Sequence, residues 1–154
     1  MGKEILKEAF ENYIKGTEYK AVVADGKFFL CHLTNAVCSG IRATKEIDKV
    51  YMTSRCLKHL FDSKPAEEFF FIIDNLHKVV KYPDRIYDNR GGKRGEYCLV
   101  KRIGSSEYLC SIEITKRLPI DKEIQIATAF RLRDKKYIKN YTLLWSWRND
   151  APPS

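Results

Sequence analysis

The sequence predicts an α+β fold: an N-terminal helix and hairpin, then two central helices packed on an antiparallel β-sheet. Three observations carry this. Apolar residues recur at helical spacing over residues 3–16 and, more strongly, over 66–80. Apolar and polar residues alternate strictly over 123–133. Turn-forming residues at Asp25-Gly26 and around Gly104 separate pairs of apolar runs.

The first helix is drawn by Ile5, Ala9, Phe10 and Tyr13, and Gly16 ends it. The next segment, YKAVVADGKFFLCHL, sets two apolar runs on either side of Asp25-Gly26, where both turn positions tolerate positive φ, so a hairpin is expected. TNAVCSGIRATKEID reads as loop with a short helix, and KVYMT as a short strand. Ser54 is placed to cap a helix through about Phe61. Lys64-Pro65 breaks that helix, and Pro65 can open the next. In that next helix Phe69, Ile72, Ile73, Leu76, Val79 and Val80 share one wide apolar face, until Tyr82-Pro83 stops it. DRIYDN, EYCLVKRI, EYLCSIEIT and EIQIATAFRLR then read as strands, the middle two joined by a tight turn at GSS. The alternation puts Ile124, Ile126, Thr128, Phe130 and Leu132 on one face of the last of these. DKKYIKNYTLLWSW is a helical turn followed by an apolar segment.

With 154 residues the chain suits one domain over 1–150, followed by a flexible tail at 151–154. Lysine and arginine number 28 against 20 acidic residues, a net charge of +8 that favours a polyanionic partner, nucleic acid above all. The five cysteines make no CxxC pair and mostly sit in apolar strings, which fits buried free thiols in a reducing cytoplasm. The charged N-terminus does not read as a signal peptide, and no apolar run reaches the ~18 residues of a membrane span. A cytoplasmic protein with no membrane partner is expected.

Chemistry-bearing residues cluster first on the helix that starts near Ser54. Cys56, Leu57, Leu60 and Phe61 form its apolar arc, while Arg55, Lys58 and His59 share the other side at i, i+3 and i+4 spacing. His59 is therefore a solvated helix residue or a proton-transfer group beside a phosphate site, with cationic neighbours favouring its neutral form. His32 is a site residue or a half-buried strand residue, and His77 reads as structural. Lys101 and Arg102 point to opposite faces of their strand, so one of them can face a ligand. Glu113 lies opposite Tyr108, Cys110, Ile112 and Ile114; it is a solvated carboxylate, or one that orients or exchanges protons. Thr128 is a sheet-core threonine or a phosphate-holding hydroxyl, and Arg131 adds a cation on the polar face of the last alternating strand. RGGKRG is a basic glycine-rich loop without the Walker pattern. HExxH, paired aspartates, EF-hand loops and GxSxG are missing, so neither a metal nor a cofactor is expected.

Taken in order, KVYMTSRCLKHLFD, the helix ending near Pro83-Asp84-Arg85-Ile86, CLVKRI, YLCSIEI and IQIATAF resemble the phage-encoded branch of the barnase, EndoU, colicin and RelE-like nucleases, over roughly residues 49–140. FFLCHLT is also similar to a His-Leu motif of some relatives. The resemblance implies a BECR-like fold and a metal-independent endoribonuclease, often a toxin or a factor in phage–host conflict, with an antitoxin or host protein as a possible second partner. It implies Ser54, His59, Lys101, Glu113 and Thr128 as site positions. His59, Lys101, Glu113 and Thr128 are then the catalytic candidates, and Ser54, Arg55, Lys58, Arg102, Arg131 and His32 the RNA-binding ones. Two other readings share the charge: a non-catalytic RNA- or DNA-binding module, and a phage factor that binds a host protein through Trp145 and Trp147 of TLLWSW.

Overall fold

The computed structural model describes residues 2–41, 47–89, 95–117 and 121–147. The RGGKRG loop, apart from Gly95, and the expected flexible tail lie outside the described residues.

The architecture is α+β. Helix α1 (Gly2–Ala9) continues into one π-helical turn (Phe10–Ile14), and the chain leaves it through Gly16 at φ +79°. Strand β1 (Lys27–His32) is followed by a short α2 (Asn35–Gly40), β2 (Lys49–Thr53), α3 (Ser54–Ser63) and α4 (Ala66–Lys81). Strands β3 (Arg85–Asp88), β4 (Tyr97–Ile103), β5 (Ser106–Arg117) and β6 (Asp121–Leu132) form the expected antiparallel meander, with Gly104 at φ +65° in the two-residue β4–β5 turn. A 3₁₀ turn (Lys135–Ile138) leads to β7 (Thr142–Ser146). The sheet order is β1-β2-β6-β5-β4-β3-β7, so β2 lies parallel beside β6 and β7 closes the far edge on β3.

The four helices bury their apolar faces on one side of the sheet. Leu6, Phe10, Leu57, Leu60, Phe69, Ile73 and Leu76 meet Val50, Met52, Leu99, Cys110, Ile112, Ile124 and Ile126 there. A smaller apolar cluster lies on the opposite face, where Ile138 of the 3₁₀ turn joins Tyr87, Cys98, Val100, Leu109 and Leu132. Cys31, Cys38, Cys98 and Cys110 are buried free thiols, and burial pushes Cys31 and Cys98 up to about 12. No helix among the described residues is long and apolar enough to cross a membrane.

Three expectations are corrected. The Asp25-Gly26 hairpin does not form: only its second arm is a strand, and β1 pairs with β2 instead. The chain before it is drawn away to α3, where Lys58 holds Thr17 and the Glu18 carbonyl, Asp62 accepts the Lys20 N–H, and Ser54 binds both polar groups of Gly26. The helix cap is Thr53, whose hydroxyl accepts the Cys56 N–H, and Ser54 is the first helical residue. The apolar row of β6 is broken by a bulge at Ala127, the one extra residue between the Ser111–Thr128 and Ile112–Ile126 pairs. Ile124 and Ile126 face the helices, whereas Phe130 and Leu132 join the opposite cluster.

Candidate functional site

Strands β2 and β6 stay together for only two registers, Val50 with Ile124 and Tyr51 with Gln125. Beyond them β2 turns into α3 while β6 runs on, and the chain parts into a cleft of about 890 Å³. The first turn of α3 supplies one wall, with Thr53, Ser54, Arg55, Cys56 and, one turn later, His59. Gln125, Ile126 and Ala127 of β6 supply the second, and Glu113 reaches in from β5, opposite Gln125 in the pairing. Asp25, Gly26 and Lys27, ahead of and at the start of β1, complete it.

Each wall is held by identifiable bonds. The Ser54 hydroxyl donates to the Ala24 carbonyl at 2.6 Å and accepts the Gly26 N–H at 2.9 Å, clamping the 24–26 segment to the helix start. The Cys56 thiol donates to the Ala127 carbonyl at 3.6 Å, taking up backbone on the β6 edge that β2 has left. The bulge at Ala127 sits at this point, as bulges beside functional clefts often do. The positive end of the α3 dipole faces the cleft, although two first-turn N–H groups are already used, Ser54's by the Gly26 carbonyl and Cys56's by Thr53. The charges are mixed: Arg55 and Lys27 against Asp25 and Glu113. Lys27 is also bonded to Glu123 at 2.9 Å and lies 4.7 Å from the centre of the Tyr51 ring.

Of the residues singled out from sequence, Ser54, Arg55, His59 and Glu113 are brought together here. Arg55 and His59 are exposed on the same side of α3, as helical spacing requires. The others lie elsewhere. Lys58 is 5% exposed and turned away, its ammonium donating to Thr17, the Glu18 carbonyl and Asp62, so it is not an RNA-facing cation. Lys101 pairs with Tyr108, five residues along β5 from Glu113, which is about 17 Å on a strand. Its ammonium donates to the Tyr82 carbonyl and stands 3.9 Å from Asp84. Its neighbour Arg102 is exposed at the same end, with its N–H on Asp84. Thr128 is 6% exposed, opposite Ser111 beyond the bulge, so burial takes its hydroxyl away from the cleft.

Arg131 is exposed near the far end of β6, where its N–H binds the buried Glu68 carboxylate, which also pairs with Arg133. Burial raises that carboxyl group, but these hydrogen bonds and the Arg133 charge outweigh it and hold Glu68 below the usual range. His32 lies at the outer end of β1, 3.1 Å from an Asp48 oxygen, and does not line the cleft. Ser54 lines the cleft with its hydroxyl committed to the 24–26 clamp, which makes it a positioning group rather than a substrate contact. Trp145 packs against the main core, whereas Trp147 is exposed with its indole N–H on Asp84.

Sequence reasoning missed Asp25, Lys27, Cys56 and Gln125 as cleft residues. Asp25 was absorbed into an expected turn and Cys56 into the apolar arc. Gln125 lies in the clean alternation of β6, and only its pairing with Glu113 marks it. Among the described residues no three His, Cys, Asp or Glu side chains gather as a metal-holding group. Compared with protein-family models, curated proteins and solved structures, the chain matches none.

Proposed function

We propose that this cleft is the active site of a metal-independent endoribonuclease, which cleaves RNA by attack of a 2′-hydroxyl on the adjacent phosphate. The observation that carries the reading is the convergence of His59, Arg55 and Glu113, from α3 and β5, on one cleft at a helix N-terminus. RNA cleavage of this kind needs a base for the 2′-oxygen, an acid for the departing 5′-oxygen, and positive charge around the pentacovalent phosphorus. His59 and Glu113 are the two proton-transfer groups. One takes the 2′-OH proton as O2′ bonds to phosphorus; the other protonates O5′ as its bond to phosphorus breaks. The products are a 2′,3′-cyclic phosphate and a 5′-hydroxyl. Arg55 offers a fork of N–H donors to the phosphorane oxygens, in the positive field of the α3 N-terminus. This assignment uses Arg55 where sequence resemblance pointed to Lys101. The +8 net charge supports RNA as the partner through counterion release.

The test is cleavage of a mixed RNA pool in EDTA, with product ends identified by mass. Wild type is expected to leave cyclic phosphates, and His59→Ala to cut about 10²–10⁴-fold more slowly with an unchanged far-UV CD spectrum. Equal cleavage by that variant removes His59 from the reaction. Salt-dependent RNA binding with no products replaces the reading with a non-catalytic binding module.

A further inference from the structure

We propose that the outer sheet face beside the cleft carries a nucleobase-stacking ledge, built on Phe29 and Tyr51 and ended by His32, which makes single-stranded RNA the substrate class. The proposal rests on the endoribonuclease reading and deepens it.

On β1, Phe28, Leu30 and Cys31 pack into the helix-side core, so Lys27, Phe29 and His32 face the other way. On β2, Val50 and Met52 are buried in that core, and Lys49, Tyr51 and Thr53 share the outer face with the β1 set. The register places Phe29 opposite Tyr51 and His32 opposite Lys49. The Phe29 ring meets Tyr51 at 5.7 Å and 65°, and His32 at 5.0 Å and 68°. These are edge-to-face contacts, in which only one ring of each pair gives up a face, whereas stacking takes a face from both. Phe29 is 37% exposed, and the imidazole of His32 more than half. Among the described residues, the apolar cluster on this side of the sheet draws on β3 to β7 and the 3₁₀ turn and includes none from β1 or β2.

Continuity with the cleft argues for the occupant. Lys27 lines the cleft and also sits over the Tyr51 ring, so ledge and cleft share a wall. The Phe29–Tyr51 pair lies one two-residue repeat from the Lys27–Thr53 pair, about 7 Å along the strands. A chain with its scissile phosphate at Arg55 and His59 therefore lays a neighbouring base on these rings. Lys49 stands at the far end of the ledge and Lys27, paired with Glu123, at the near end, with Asp48 beside His32. Aromatic side chains in a basic track are how proteins hold unpaired bases, whatever their identity. Bases inside a duplex offer no free face to such a platform.

The experiment measures anisotropy of a labelled 2′-O-methyl octaribonucleotide, which keeps its bases but lacks the nucleophile, against the same backbone with abasic internal positions. Phe29→Ala and Phe29→Leu are expected to weaken octamer binding about 5- to 100-fold, to leave abasic binding unchanged, and to raise KM for the cleavable octamer without changing kcat. Phe29→Trp is expected to restore binding, while leucine, which keeps the apolar bulk, does not. Equal octamer affinity in Phe29→Ala, or an equal loss on the abasic strand, overturns the ledge while leaving the cleavage reaction in place. A wild type that neither binds nor cuts RNA overturns the endoribonuclease reading, and the ledge with it.

Discussion

Replacing Lys58 with methionine is expected to unfold the protein more readily rather than to weaken RNA binding. The Lys58 ammonium has three N–H donors, and all three are used: Thr17 Oγ1 at 2.9 Å, the Glu18 carbonyl at 2.6 Å and Asp62 Oδ1 at 2.8 Å. The side chains of Lys58 and Asp62 are 6% and 12% exposed, so this is a buried ion pair at i, i+4 on α3. Methionine keeps the stem and deletes the charge, leaving Asp62 with the Lys20 N–H but no counter-charge. Breaking one side of such a pair costs about 3–5 kcal/mol. At 2–4 °C per kcal/mol for a domain of this size, Tm falls by about 6–20 °C. Urea and thermal unfolding followed by far-UV CD measure it. Asp62→Asn is expected to cost a comparable amount. The double variant Lys58→Met/Asp62→Leu is expected to be more stable than the sum of the singles, because no orphan charge remains. A Lys58→Met protein within about 1 kcal/mol of wild type, but with weakened RNA affinity, would refute the reasoning and return Lys58 to the substrate-facing arc.

Two further outcomes follow from the structure. Ser54→Ala removes the hydroxyl that holds Ala24 and Gly26, costs about 1–3 kcal/mol, and lowers kcat through the displaced 24–26 wall; urea midpoints and initial cleavage rates report the two effects. Burial of His77, with Lys78 and Lys81 nearby, holds its imidazole below the ordinary 6.5, and its Nδ1 is buried without a hydrogen-bond partner among the described residues. The unfolded chain therefore binds the proton more readily, so this contribution to stability is complete above pH 6.5 and is lost as pH falls through the lowered folded value. His77→Leu is expected to flatten the decline of the urea midpoint between about pH 7 and 5.

Elements that carry their own local signal were legible from sequence. KVYMT is β2 to the residue, the apolar face of α4 is buried as its spacing requires, and Glu113 stands opposite Ile112 and Ile114 on β5. What failed depends on contacts between distant segments. A helical projection puts Lys58 beside Arg55 and His59, and only the arrival of residues 17–18 decides that its ammonium is buried. Alternation in IQIATAF reads cleanly because the small Ala127 and Ala129 fit either face, so the bulge leaves no trace in the pattern. A strand's sequence tells which face Lys101 takes but not its height, and the β4–β5 register puts it about 17 Å from Glu113.

The described residues ahead of β2 help explain why the cleft lies where it does. The resemblance covers roughly residues 49–140 and leaves the residues before it unaccounted for, apart from the His-Leu motif in FFLCHLT. In the fold, β1 pairs along β2 and sets the strand that leads into α3. Phe10 packs against Phe61, Phe69 and Phe70 of α3 and α4 and so fixes the pose of the helix that carries His59. Asp25, Gly26 and Lys27 then complete the cleft, held to the helix start by the Ser54 clamp and to β6 by the Lys27–Glu123 pair. A core lacking them would keep Arg55, His59, Glu113 and the β6 wall, but would lose the side of the cleft that these three residues complete. The groups proposed to be catalytic thus lie within residues 49–140, and Asp25, Gly26 and Lys27, which complete the cleft around them, lie outside that span. Under the proposed function, substitutions in residues 25–29 are therefore expected to shift KM among RNA sequences while kcat is kept, which initial rates on a set of octaribonucleotides measure.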